Sequence, residues 1–141
     1  MERYEKILTD HRLPDMFSEY LTLGQDGGLV IYGCKLGEDR AFVIRMSEVM
    51  AFHVHEEFCH PDMSNPEEPV KRPFYNESKA TCYPALEVIN SKWIDSILME
   101  HQQDGANHFQ FLSYSDVIDV ISYKRPPVSY THLTLPTICS V

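Results

Sequence analysis

Leu29-Val-Ile-Tyr-Gly-Cys-Lys-Leu-Gly-Glu-Asp-Arg-Ala-Phe-Val-Ile-Arg45 holds two short apolar runs with a polar, glycine-containing break between them. Leu29 to Tyr32 and Ala41 to Arg45 have the length of strands rather than helices, and β-branched and aromatic residues dominate them. Gly37-Glu-Asp-Arg40 reads as the turn that joins them into an antiparallel hairpin. Downstream, Glu48 to Glu56 continues as a third strand. It alternates Met50, Phe52 and Val54 on one face with Ala51, His53 and His55 on the other. Upstream, Gly24-Gln-Asp-Gly-Gly28 breaks the chain. The residues before it read as helical: Tyr4, Ile7 and Leu8 share a face, and Pro14 opens a second short helix through Met16, Phe17, Tyr20 and Leu21.

Residues 57–81 have a different texture. Pro61, Pro66, Pro69 and Pro73, with acids and Asn between them, sustain neither a helix nor an inner strand. A loop of this length is usually functional or disordered. The aromatics of Arg72-Pro-Phe-Tyr-Asn-Glu77 predict that its second half packs against the body. Cys82 to Ile89 reads as a fourth strand and Asn90 as the cap of a helix. Trp93, Ile94, Ile97 and Leu98 form that helix's apolar stripe, and Gly105 ends the segment. His108-Phe-Gln-Phe-Leu112 and Val117-Ile-Asp-Val-Ile-Ser122 make a closing hairpin around Ser113-Tyr-Ser-Asp116.

This order of elements lacks regular β/α alternation. The expected fold is therefore α+β: a mainly antiparallel sheet of about five to six strands, one packed helix near residues 90–103, and N-terminal helical segments. Period-two and period-3.6 patterning predicts a core of Ile31, Phe42, Ile44, Phe52, Leu86, Val88, Trp93, Ile97, Phe109, Phe111, Ile118 and Val120.

The last stretch, Val128-Ser-Tyr-Thr-His-Leu-Thr-Leu-Pro-Thr-Ile-Cys-Ser-Val141, reads as a translated sequencing adapter followed by its sample index rather than as protein. Residues 1–126 are then the expected single globular domain and 127–141 a tail outside it, without native contacts. That tail holds no Asp, Glu, Lys or Arg, so the whole net charge of −9 falls on the preceding residues. An acidic balance disfavours nucleic acid or an anionic membrane as a partner, since both are polyanions. It is compatible with a basic protein partner. Before the tail the cysteines are Cys34, Cys59 and Cys82, with no C-x-x-C spacing, which argues against a disulfide framework and for a reducing, cytoplasmic setting. Cys34 and Cys82 lie in apolar surroundings and read as buried, inert thiols. No charged-then-apolar leader opens the chain, and no run reaches the ~18 apolar residues of a membrane span.

Reactive side chains concentrate in His53-Val-His-Glu-Glu-Phe-Cys-His-Pro-Asp62. On a strand, His53 and His55 project from one face, close enough to share a metal ion. Cys59 is the best third ligand for zinc, because a thiolate binds it strongly, with His60 and Asp62 next and Glu56 or Glu57 as orienting carboxylates. The His-x-His resembles the start of the first cupin motif. It departs from that motif in having Cys59 and His60 where a glutamate belongs. Two histidines at a strand-to-loop junction are more often plain surface residues than ligands, and the expectation is that no third ligand converges on them. The glycines at 24–28 lack the Lys-Ser/Thr ending of a phosphate loop and precede a strand, not a helix.

Two functional classes remain. The favoured one is a small acidic protein-interaction module of the antitoxin or immunity type, without catalytic residues or cofactor. The alternative is a zinc-binding protein or metal-dependent enzyme built on His53, His55 and Cys59. Convergence of ligands in space discriminates between them.

Overall fold

A computed structural model describes residues 2–11, 13–14, 17–23, 28–34, 40–56, 72–78 and 81–132. Among these, strands β1 (Arg3–Lys6), β2 (Ser18–Leu23), β3 (Leu29–Cys34), β4 (Arg40–Met46), β5 (Val49–Glu56), β6 (Ala85–Ile89), β7 (Asn107–Leu112), β8 (Asp116–Ser122) and β9 (Val128–His132) build two antiparallel sheets. One sheet runs β1-β6-β7-β8-β5, the other β2-β3-β4-β9. One short helix, α1 (Lys92–Ile97), and a 3-10 turn at Glu100–Gln102 connect β6 to β7. The fold is thus α+β and mainly antiparallel, but with nine described strands in two sheets rather than about five to six in one.

The sheets share one core. Cross-strand pairs Ile31↔Ile44, Leu29↔Met46 and Gly33↔Phe42 set one face of the four-stranded sheet inward. Phe109↔Val120 and Phe111↔Ile118 do the same for the five-stranded sheet. These side chains are at most 3 % exposed and form a continuous cluster. Gly33 is required where it stands: a Cβ there would lie 2.0 Å from the tip of the Phe42 ring. Phe17 closes over that ring edge-on, with centroids 4.8 Å apart. Arg72 is buried and Tyr75 packs against the core, as expected for this segment, whereas Phe74 is 46 % exposed. Phe74 bridges to Cys82, and the Tyr75 hydroxyl donates to the Leu13 carbonyl at 2.6 Å.

Several expectations are corrected. The N-terminal segments are strands, not helices. Tyr4 pairs with Val88 within β1–β6, and Leu21 pairs with Ile31 within β2–β3. Leu8 adopts φ 59, a left-handed conformation that stops a helix at the face on which the helical pattern relied. Ser91, not Asn90, caps α1, its Oγ accepting from the Ile94 N–H at 3.2 Å, while Asn90 supplies the turn at φ 59. Phe52 and Ile97, placed in the core by periodicity, are 38 % and 45 % exposed. Phe52 and Val54 face the same side as Val120 and Ile118, but β5 is the outermost strand of its sheet and their row is left uncovered.

Two further differences concern the ends of strands. Val128–His132 pairs with β4 from Val128↔Ile44 to Arg40↔His132, and Val128 packs against the core. The expectation of a tail without contacts therefore fails for these residues. A backbone ladder needs no particular side chains, so this pairing is silent on where the sequence comes from. Cys34 is disulfide-bonded, not an inert thiol, which removes the cysteine-based argument for a reducing compartment. Cys82 is a half-buried free thiol. No helix among the described residues is long and apolar enough to cross a membrane.

Candidate metal centre

The outer face of the five-stranded sheet carries polar groups where an apolar layer would be ordinary. Register explains how they meet. Gln110 on β7 lies opposite Asp119 on β8, and Asp119 lies opposite His53 on β5, so the three form one row across the sheet. Two residues along each strand return to the same face, which adds His55 from β5 and His108 from β7. The connection through α1 crosses above this row and lowers Trp93 onto it. The indole meets the His53 ring at 4.3 Å and the His108 ring at 5.1 Å between centroids, both edge-on.

His53, His55 and Asp119 each offer one ligand atom, and these atoms lie within 4.8 Å of one another. His53 Nδ1 stands 3.7 Å from Asp119 Oδ2, and the two imidazoles meet edge-on at 4.4 Å. The Asp119 side chain is 1 % exposed and that of His53 is 33 % exposed, so the cluster opens on its β5 side. A carboxylate this buried needs partners, because its desolvation costs several kcal/mol otherwise (order of magnitude). It has them: Asp119 Oδ1 accepts from His108 Nε2 at 2.6 Å and from Gln110 Nε2 at 2.8 Å.

Those donors are themselves fixed. Arg72 Nε donates to Gln110 Oε1 at 2.8 Å, so the Gln110 amide must turn its NH2 group towards Asp119. The Arg72 guanidinium rests 4.7 Å above the Tyr4 ring. His108 Nδ1 lies 2.7 Å from Ser91 Oγ. A carboxylate only accepts, so Nε2 of His108 carries the proton. The Ser91 hydroxyl that meets Nδ1 also accepts from the Ile94 N–H, so the ring is held at both nitrogens.

Of the ligands expected from sequence, the structure brings His53 and His55 together. Cys59, His60, Asp62 and Glu57 lie outside the described residues, and Glu56 ends β5 on its exposed side. Beside His53 and His55 stands a candidate not expected from sequence, Asp119 from the neighbouring strand, with one atom of each of the three within 4.8 Å of the others. Its signal was in the sequence: an acid at the centre of Val117-Ile-Asp-Val-Ile121 has no place on an inner strand unless something holds it. Gln110, between Phe109 and Phe111, carried the same signal. Comparison with known protein families, curated proteins and solved structures finds no match to this chain.

Proposed function

We propose that this protein binds a divalent transition-metal ion of the zinc type, with His53, His55 and Asp119 as its protein ligands. The observation that carries this is the convergence of two imidazoles from one strand and a buried, hydrogen-bonded carboxylate from the next. Two nitrogens and one carboxylate oxygen are a donor set that zinc accepts, with ligand distances of about 2.0–2.2 Å. Small rotations of His53 and His55 on the open side of the cluster would bring their nitrogens into that range. Three protein ligands leave a coordination position for water or a substrate atom, the arrangement of reactive rather than purely structural zinc sites. When bound, such an ion would supply Lewis acidity and lower the pKa of its water. The chain's own residues hold the ligands and shield one side with Trp93.

Trp93 is the sole tryptophan, and its ring touches His53, so it reports on the site. Titration with Co²⁺ or Cu²⁺, both of which quench nearby indoles, is expected to quench its fluorescence saturably, and His53→Ala to abolish the effect. Fluorescence that stays level, or quenches alike in His53→Ala, sinks the proposal.

A second reading has its own observation. Met50, Phe52 and Val54 on β5 are 43 %, 38 % and 39 % exposed, an apolar row on an outermost strand. Such strands recruit extended segments of other proteins. With a net charge of −9, a basic protein is the partner that fits. Salt-sensitive binding of one basic partner that Phe52→Lys abolishes supports this reading; binding indifferent to that change removes it.

A further inference from the structure

Two donors grip one oxygen of Asp119. His108 Nε2 and Gln110 Nε2 converge on Oδ1, whereas Oδ2 is the oxygen turned towards His53. A carboxylate gripped at one oxygen by two donors cannot rotate without breaking both bonds, so the plane of the group is set and Oδ2 is aimed at β5. The donors are held in turn from places far apart in the chain: Ser91 holds the His108 ring at Nδ1, and Arg72 fixes the amide orientation of Gln110. Donors run from Arg72 to Gln110 to Asp119, and from His108 Nε2 to Asp119.

Resting on the metal reading above, we propose that His108 and Gln110 are positioning residues that preset the orientation of Asp119 towards the ion. Arg72 is the more remote member, acting on Asp119 through Gln110. None of the three needs to touch the ion. Their contribution is that Asp119 enters the complex already oriented, and orienting partners of this kind typically change metal affinity by about 10–100-fold. The strand spacing supports the same conclusion: Gln110 is directly opposite Asp119, and His108 is its diagonal neighbour, so one strand supplies both donors.

The test compares zinc affinity, by competition with a chromophoric chelator, and the visible spectrum of the Co²⁺ form in the full chain and its variants. His108→Phe and Gln110→Met each remove one donor while keeping bulk, and His108→Gln keeps an N–H where His108 Nε2 stood. Expected are a 10–100-fold loss of affinity and an altered Co²⁺ spectrum in the first two, with substantial recovery in His108→Gln. Thermal midpoints of the metal-free variants separate folding from binding. If His108→Phe does not fold, the Gln110→Met and His108→Gln pair carries the test. Zinc affinity and Co²⁺ spectra equal to the parent's in the folded variants overturn the positioning role and leave the metal reading standing. A parent chain that binds no zinc overturns both.

Discussion

Replacing Asp119 by Ala and by Asn separates what the carboxylate does for the fold from what it does for a metal. In the metal-free protein, Asp119→Ala deletes the acceptor of His108 Nε2 and Gln110 Nε2, on side chains with 6 % and 0 % exposure. A buried donor stripped of its acceptor costs about 1–3 kcal/mol, so two cost roughly 2–6 kcal/mol in all. At about 3–5 °C per kcal/mol for a chain of this size, the midpoint should fall by roughly 6–30 °C. Asp119→Asn keeps a carbonyl oxygen that can take the place of Oδ1 and accept from both donors. Its cost should stay near 1 kcal/mol, the difference between a charged and a neutral acceptor. Urea unfolding with EDTA present, followed by far-UV circular dichroism, measures both. Equal stabilities for the Ala and Asn variants would refute the inference that the network is formed and buried as described.

Three further outcomes are expected. Gly33→Ala forces a methyl into the Phe42 ring, which also packs edge-on against Phe17, so it should destabilise by about 1–3 kcal/mol, and Phe42→Leu in the same chain should recover part of that in a double-mutant cycle. Truncation after Pro127 removes the ladder on β4 and the Val128 contact, and should lower the thermal midpoint by several degrees; an unchanged midpoint would mean that residues 128–132 add nothing to the fold. Imidazole must be neutral to ligate, so zinc affinity should weaken as pH falls, and competition titrations at stepped pH should show proton release on binding.

The strands that bury one face were legible from alternation alone. Ile31, Phe42, Ile44, Phe109, Phe111, Ile118 and Val120 are all in the core where period two put them. The N-terminus was misread because four-residue β1 has too few residues to show a period, and its conformation comes from pairing with β6, more than eighty residues away. The site was half legible. His53 and His55 share a face by local geometry, which sequence reports directly. Asp119, Gln110 and Arg72 join them through strand register and a returning loop, and neither leaves a mark in local spacing. What sequence did show was polar residues embedded in apolar strands. Such residues seldom occur without partners, and asking what holds Asp119 and Gln110 would have drawn attention to β7 and β8. Phe52 failed for a related reason: alternation gives the face, while position in the sheet decides whether that face is covered.

Equilibrium dialysis against buffered zinc, with metal counted by elemental analysis in the parent chain and in His53→Ala, His55→Ala and Asp119→Asn, tests the metal proposal most directly. One zinc per chain in the parent, lost or severely weakened in all three variants, is the result the convergence of these side chains predicts. A parent chain without zinc, or variants that keep it undiminished, would contradict it.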